Sequence, residues 1–236
     1  MIKIYGKNCI QEAVRANAGL ETVFLLKENE NKDKGLCRLL TDKGIKYEIL
    51  PKDKMNRLFG TSHQGYAAYR RDYPILEEKD LERYAEAKRI LLLDGIMDPH
   101  NLGAILRSVD AFGIDLVILP KNRSCFITET VAHVSTGAIE HTDIMMVNSL
   151  FSVVQKLKGL GFWICGTDAK GSTIASSINK DLKLAVIIGS EGFGMSKTLL
   201  NASDYLITIP MVGHVNSLNA SVSCAIVLYD LSLIHI

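Results

Sequence analysis

Six short apolar runs in the second part of the chain alternate with stretches of helical character, and this alternation constrains the fold more than any other feature. Each run is as long as a strand and ends in turn residues, which is typical of a strand buried inside a sheet. Because strands that alternate with helices pair in parallel, the pattern predicts an α/β domain with a mainly parallel sheet. The runs lie at about residues 90–93, 115–119, 144–147, 162–166, 184–188 and 205–209.

The first part of the chain differs in pattern and in charge. Residues 23–26 and 46–50 are typical of strands, with a helical segment at residues 35–43 between them. Residues 1–75 carry 14 Lys and Arg against 9 Asp and Glu, whereas the rest of the chain is slightly acidic. A basic module beside a near-neutral one is typical of a phosphate-contacting domain, although a solvated charged face would give the same excess.

Composition changes abruptly in a charged segment with a short-helix pattern, which marks a domain boundary. We therefore predict a small α/β domain at residues 1–75, a linker at 76–88 and the parallel α/β domain at 89–236.

The five cysteines are scattered and form no CxxC pair, which argues against a disulfide framework or a zinc site. The sequence shows no signal peptide and no membrane-length apolar run, so we expect a cytoplasmic protein without membrane or metal binding.

Three polar or glycine-rich segments follow predicted strands, and parallel sheets bind their ligands at the carboxyl ends of strands. In the first segment, Pro99 suits the first turn of a helix that carries Asn101 and Arg107. The second runs from a strand into a turn rich in glycine, which lets a backbone approach a ligand closely. The third is a loop of Asn, Ser and Gly that leads into the last helix. The three segments are DPHNLGAILRS, IIGSEGFGMS and IPMVGHVNSLNASVS.

In this order the three segments resemble the motifs of the SpoU (TrmH-like) family of RNA ribose 2′-O-methyltransferases. The early segments IYGKN and SHQGYAA resemble that family's substrate-binding domain, so the resemblance covers nearly the whole chain. It is strongest toward the branch that methylates a guanosine ribose in 23S ribosomal RNA. The resemblance implies a C-terminal SPOUT domain with a trefoil knot, preceded by a small RNA-binding domain, and a homodimer that uses S-adenosylmethionine.

The resemblance also implies a set of site residues. Those at catalytic positions are Asn101, Arg107, Glu191, Ser217 and Asn219, and those expected to contact the cofactor are Gly189, Ile209, Leu218, Thr167 and Gly194. The Arg107 guanidinium has a pKa above about 12 and stays protonated, which makes it a poor general base. We therefore expect Arg107 to hold the acceptor phosphate and to stabilise charge that develops on the ribose oxygen.

Structural roles for the same residues stay open at this point. Arg107 could pair with Glu191 or Asp94 to hold its helix, Glu191 could orient a backbone amide, and Asn101, Ser217 and Asn219 could be helix caps.

Other functions stay open too. They are methylation of transfer RNA, RNA binding by a knotted protein without catalysis, and nucleotide binding through Gly189-x-x-Gly192-x-Gly194. The glycine order of the last is not GxGxxG, which disfavours it.

The last six residues, Leu231–Ile236, are those encoded by the end sequence of a transposase adapter used in DNA library preparation. We therefore expect the natural sequence to be interrupted at about Asp230, and we exclude these six residues from functional reasoning.

Overall fold

The computed structural model describes residues 1–215 and 217–232. They form two compact units, of which the first comprises Met1–Tyr73 with Ile127–His141 and the second Pro74–Phe126 with the described residues from Thr142 onward. Residues 233–236 of the suspected adapter segment lie outside the described residues, whereas Leu231 and Ser232 are buried at the end of the last helix. Nowhere in the described part of the chain is a helix long and apolar enough to cross a membrane.

The first unit is a four-stranded sheet with helices, in the strand order β1-β4-β2-β3. Strand β4 pairs antiparallel with β1 and β2, and β2 pairs parallel with β3. Its strands are β1 (Ile2–Tyr5), β2 (Leu20–Leu26), β3 (Tyr47–Leu50) and β4 (Tyr66–Arg70). Its helices are α1 (Lys7–Arg15), α2 (Lys27–Lys32), α3 (Lys34–Asp42), α4 (Lys52–Phe59), α6 (Glu129–Val134) and a 3₁₀ helix (Ala138–His141).

The second unit is a seven-stranded sheet in which every paired strand is parallel to its neighbour. Its strands are β5 (Arg89–Asp94), β6 (Leu116–Pro120), β7 (Ile144–Val147), β8 (Trp163–Thr167), β9 (Thr173–Ile174), β10 (Leu184–Gly189) and β11 (Tyr205–Thr208). Its α-helices are α5 (Pro99–Ala111), α7 (Leu150–Gly159), α8 (Lys197–Ala202) and α9 (Ala220–Leu231), with 3₁₀ helices at Glu78–Tyr84 and Ala175–Ser177. The predicted α/β class and all six predicted strands of this part are confirmed, and only the short β9 lacked a sequence signal.

The strand order of this sheet explains where its polar loops meet. Strands β5 and β10 are neighbours, and Asp94 lies opposite Gly189 at their carboxyl ends. From this pair the sheet continues through β6 and β7 on one side and through β8, β11 and β9 on the other. A reversal of strand order at such a point leaves a crevice above the strand ends, which is where open parallel sheets bind ligands.

A buried ion pair fixes the late segment Ile127–His141 within the first unit. The Arg70 guanidinium donates to both carboxylate oxygens of Glu140, with N–O distances of 2.7 to 3.2 Å. The Tyr73 hydroxyl donates to the same carboxylate at 3.0 Å, and both charged side chains are nearly inaccessible. The unit is therefore assembled from two stretches that are distant in sequence.

The charged segment at residues 76–88 packs into the second unit. Leu76 forms a parallel bridge to Met145, and Leu81 is buried in the hydrophobic core. The core continues between the sheet and α7, where Val153, Val154 and Leu157 are fully buried.

Arg89, at the start of β5, is buried without a carboxylate partner among the described residues. Its guanidinium instead donates to the backbone carbonyls of Lys88, Lys180, Leu182 and Leu231. Burial lowers the pKa of this guanidinium. The contact with Leu231 joins the C-terminus of α9 to the first strand of the sheet.

We expect Arg89→Met to lower the free energy of unfolding by about 3 kcal/mol, because the buried carbonyl of Leu231 and the part-buried carbonyls of Lys180 and Leu182 lose this donor. Urea denaturation followed by circular dichroism measures this change. The exposed Arg83 serves as a control, and Arg83→Met should stay within about 0.5 kcal/mol. A loss below 1 kcal/mol for Arg89→Met would show that water replaces the lost donor.

Candidate functional site

Three predicted polar residues form one hydrogen-bonded cluster above the strand ends. Glu191 Oε1 accepts hydrogen bonds from Asn101 Nδ2 at 3.0 Å and from the Asn219 side-chain amide. Asn219 Nδ2 also donates to Asn101 Oδ1 at 2.9 Å. The three side chains come from the loops or helices that follow β5, β10 and β11. The fold therefore joins all three sequence motifs at this cluster.

The cluster also organises the start of α9. Glu191 Oε1 accepts from the backbone N–H of Ala220 at 3.1 Å, and Asn219 Oδ1 accepts from the N–H groups of Ser221 and Val222 at 2.9 and 3.3 Å. A carboxylate and an amide oxygen at this position satisfy free amides of the first helical turn. The structural roles considered for Asn219 and Glu191 are therefore present, and they hold the same side chains that point at the cavity.

A tight hairpin directly after β10 carries Glu191 of this cluster. Ser190 and Gly194 exchange two backbone hydrogen bonds of 3.1 and 3.0 Å, and Gly192 and Gly194 have φ values of +85° and +66°. Gly189 is needed for a different reason, because a Cβ atom there would lie 2.4 Å from the backbone carbon of Gly194. Asp94 accepts from the N–H of Ser196 at 2.8 Å and holds the far end of the hairpin.

A cavity of about 700 Å³ opens beside the hairpin and the cluster. All five residues predicted to contact the cofactor line it, as do three of the five predicted catalytic residues. The lining includes Thr167, Gly189, Gly194, Ile209 and Leu218 from the first set and Glu191, Ser217 and Asn219 from the second. The structure thus brings these residues together, while the role of each one stays a prediction.

The chemistry of this cavity suits S-adenosylmethionine. Its volume lies within the range of about 300 to 1,000 Å³ that is typical of small-molecule sites. Ile188, Ile207 and Met211 add apolar surface for an adenine ring. The carboxylates of Asp168 and Glu191 suit the positively charged sulfonium and ammonium groups, and the lining that the structure describes contains no Lys or Arg.

Arg107 lies apart from this cavity. It is exposed on α5 and does not line the cavity, whereas Asn101, on the same helix, is buried. Within residues 1–215 and 217–232, no ion pair joins Arg107 to Glu191 or Asp94. Those carboxylates accept other donors, so the structure does not support the structural ion pair considered for Arg107.

Several residues that line the cavity were not predicted from the sequence, among them Asp168, Phe193 and Met211. Asp168 follows β8 directly, and its position at a strand end would have identified it. Phe193 and Met211 lie inside the quoted motifs, but their side chains carry no polar group that would have marked them as site residues. As regards metals, the described residues contain no group of three His, Cys, Asp or Glu side chains placed to hold an ion.

Comparisons with known sequences identify the family. The sequence model of the SpoU rRNA Methylase family matches residues 88–229, which is more than half of the chain. The chain belongs to the SpoU (TrmH-like) family. A second model, described as RNA 2′-O ribose methyltransferase substrate binding, matches residues 3–75.

Relatives of this SpoU family member cover almost its whole length. A Staphylococcus aureus (strain COL) protein described as a TrmH family tRNA/rRNA methyltransferase is 40% identical over 96% of this chain and 94% of its own. The SpoU methyltransferase AviRb from Streptomyces viridochromogenes, solved with AdoMet, aligns with a TM-score of 0.79 at 23% identity, over 97% of this chain and 88% of AviRb. The AdoMet-bound rRNA methyltransferase from Sinorhizobium meliloti aligns with a TM-score of 0.78 at 19% identity, over 98% and 86%.

These matches confirm the SPOUT fold class and the substrate-binding domain that the motifs implied. The protein is an S-adenosylmethionine-dependent RNA methyltransferase of the SpoU family. The trefoil knot stays a prediction.

Proposed function

We propose that the protein transfers a methyl group to the ribose 2′-hydroxyl of a guanosine in 23S ribosomal RNA. The observation that carries this proposal is the match of residues 3–75 to a substrate-binding model for RNA 2′-O ribose methyltransferases, in the same chain as the cavity and its polar cluster. The surplus of Lys and Arg in residues 1–75 supports contact with RNA phosphates. Five unpaired thiols are compatible with the cytoplasmic location that we also propose.

The residues around the cavity would have different roles in this proposed reaction. S-adenosylmethionine, when bound, supplies an electrophilic methyl group. Gly189, Ile209 and Leu218 would hold the cofactor, largely through backbone groups. The polar cluster with Ser217 would orient the acceptor ribose, since positioning of the reacting groups supplies much of the acceleration in such a transfer. Arg107 would hold the acceptor phosphate and stabilise charge on the ribose oxygen.

The position of Arg107 supports an active site shared between two subunits of a homodimer. A helix turns by about 100° per residue, so Arg107, six residues after Asn101, points about 120° away from it. In one subunit Asn101 faces the cluster, and Arg107 is therefore directed elsewhere. We propose that it reaches the cavity of a second copy of the chain.

An exposed apolar stripe on α9 supports the same homodimer. Val222, Ile226 and Tyr229 are 46%, 36% and 54% exposed and follow the i, i+4, i+7 spacing of one helix face. Helix α9 packs on α5, which carries Arg107. An apolar stripe of this kind is suited to packing against a second subunit, and it supports the proposed homodimer.

We expect Ile226→Glu to convert the dimer into a monomer, because a carboxylate in an apolar interface loses its hydration without gaining a partner. Sedimentation equilibrium measures the change. Phe151 is also exposed, at 42%, but lies on α7 away from this stripe. Phe151→Glu should therefore leave the dimer intact. A wild-type protein that is monomeric at assay concentration would contradict the homodimer.

Methylation of transfer RNA is the alternative, and the name of the Staphylococcus aureus relative includes both classes of RNA. Ribose-methylation mapping of ribosomal and transfer RNA from a deletion strain decides between them. We expect one guanosine of 23S RNA to lose its 2′-O-methyl group and to regain it when the gene is restored. Loss of a 2′-O-methyl group from a transfer RNA would show that transfer RNA is the substrate. Loss of a methyl group from a base would show that the protein does not methylate ribose.

A further inference from the structure

Phe193 is the most exposed aromatic side chain of the described residues. It is 95% exposed and lies in the hairpin between Ser190 and Gly194. The same residue lines the cavity, and among the described residues that line it no other is aromatic. The ring is thus presented to solvent at the edge of the cavity.

The hairpin geometry keeps this ring out of the hydrophobic core. The paired hydrogen bonds of Ser190 and Gly194 close the turn, and positive φ values at Gly192 and Gly194 shape it on either side of the ring. A whole phenyl side chain left in solvent loses the favourable free energy of burial. A ring held in this way at a ligand cavity is suited to a partner that arrives from solution.

We propose that Phe193 is a positioning residue that stacks on the base of the nucleotide whose ribose is methylated. The inference rests on the proposed ribose methylation at this cavity. The base is attached to the sugar carbon next to the one that carries the 2′-hydroxyl. When that hydroxyl reaches the cavity, the base must therefore lie at the edge of the cavity.

Stacking suits this position because RNA-binding proteins hold unpaired bases on aromatic rings. The contact gives affinity without choosing the base, since every base has a π face. Guanosine selection would then come from other contacts, and Phe193 would set how firmly any acceptor nucleotide is held.

The test uses the full-length protein and 23S RNA transcribed in vitro. We expect Phe193→Ala to raise KM and the Kd for this RNA roughly tenfold or more, since a base stacked on an aromatic ring contributes about 1 to 3 kcal/mol. Phe193→Trp should keep KM and Kd near the wild-type values. Phe193→Leu should resemble Phe193→Ala, because leucine provides apolar surface but has no π face. Phe151→Ala, which removes an exposed ring outside the cavity, should change neither constant.

A fluorescence measurement tests the contact independently of turnover. Trp163 is the single tryptophan of the chain, so Trp163→Phe combined with Phe193→Trp leaves one reporter in the hairpin. We expect 23S RNA to quench this fluorescence strongly, as a stacked base does.

Three results would overturn the inference. In Phe193→Ala, they are an unchanged Kd for RNA, a raised Kd for S-adenosylmethionine with RNA binding intact, and loss of the dimer as the sole defect. The RNA Kd and the fluorescence do not depend on which atom of the RNA receives the methyl group. A product methylated at another atom would therefore overturn the proposed function, whereas the two binding measurements decide whether Phe193 stacks on the base.

Discussion

Arg107→Ala should lower kcat by roughly a hundredfold or more, the loss that follows removal of one donor to a developing oxyanion. Single-turnover methylation of 23S RNA with saturating cofactor measures it. Because Arg107 is exposed and does not line the cavity of its own chain, the melting temperature and the Kd for S-adenosylmethionine should change little. Arg107→Lys should recover little activity, since a point charge does not reproduce the planar guanidinium.

Two outcomes would contradict the role proposed for Arg107. One is near-normal turnover in the alanine variant, which would leave the arginine without a part in catalysis. The other is a loss of activity that follows loss of the fold or of the dimer. Exposed Arg123, which has no place in the proposed site, provides a matched arginine-to-alanine control.

Gly189→Ala should abolish measurable binding of S-adenosylmethionine and methyl transfer together. The new Cβ would lie 2.4 Å from the Gly194 carbon and 2.5 Å from the Met195 nitrogen, and both are backbone atoms that cannot rotate away. The hairpin would have to move, and with it the wall of the cavity that contains Gly194. Isothermal titration calorimetry with the cofactor measures the loss.

Gly159→Ala provides the control for this substitution. Gly159 is the last residue of α7, has no positive φ and has open space where a Cβ would point. The same chemical change should there leave cofactor binding intact and stabilise the protein slightly, by up to about 1 kcal/mol. Cofactor binding by Gly189→Ala within a fewfold of wild type would show that the hairpin does not shape the binding site.

These two variants together test whether the active site is shared between subunits. In a mixed dimer, the Arg107→Ala subunit keeps an intact cavity and the Gly189→Ala subunit keeps its arginine. If Arg107 acts on the partner's cavity, unfolding and refolding an equal mixture should restore about a quarter of the wild-type rate, since half of the dimers are mixed and each has one complete site. If Arg107 acts within its own chain, the mixture should stay inactive.

The sequence by itself determined the sheet and the loops that carry the chemistry. Apolar runs identified β5 and β10 to within a residue or two, and Pro99 marked the start of α5. These features depend on residues close together in the chain, so a local pattern is enough to find them. The three motifs are equally local, and each was placed correctly after its strand.

Only the tertiary structure decided which residues meet. Glu191 and Asn219 are 28 positions apart in sequence, and Arg70 and Glu140 are 70 apart, yet each pair is in direct contact. No periodic pattern records such a pair. The strand order brings the loops after β5, β10 and β11 together, and a helix turn directs Arg107 away from the cluster that Asn101 joins. The need for glycine at position 189 likewise arises from a backbone contact within the folded hairpin, because the space beside a residue depends on what the chain packs against it.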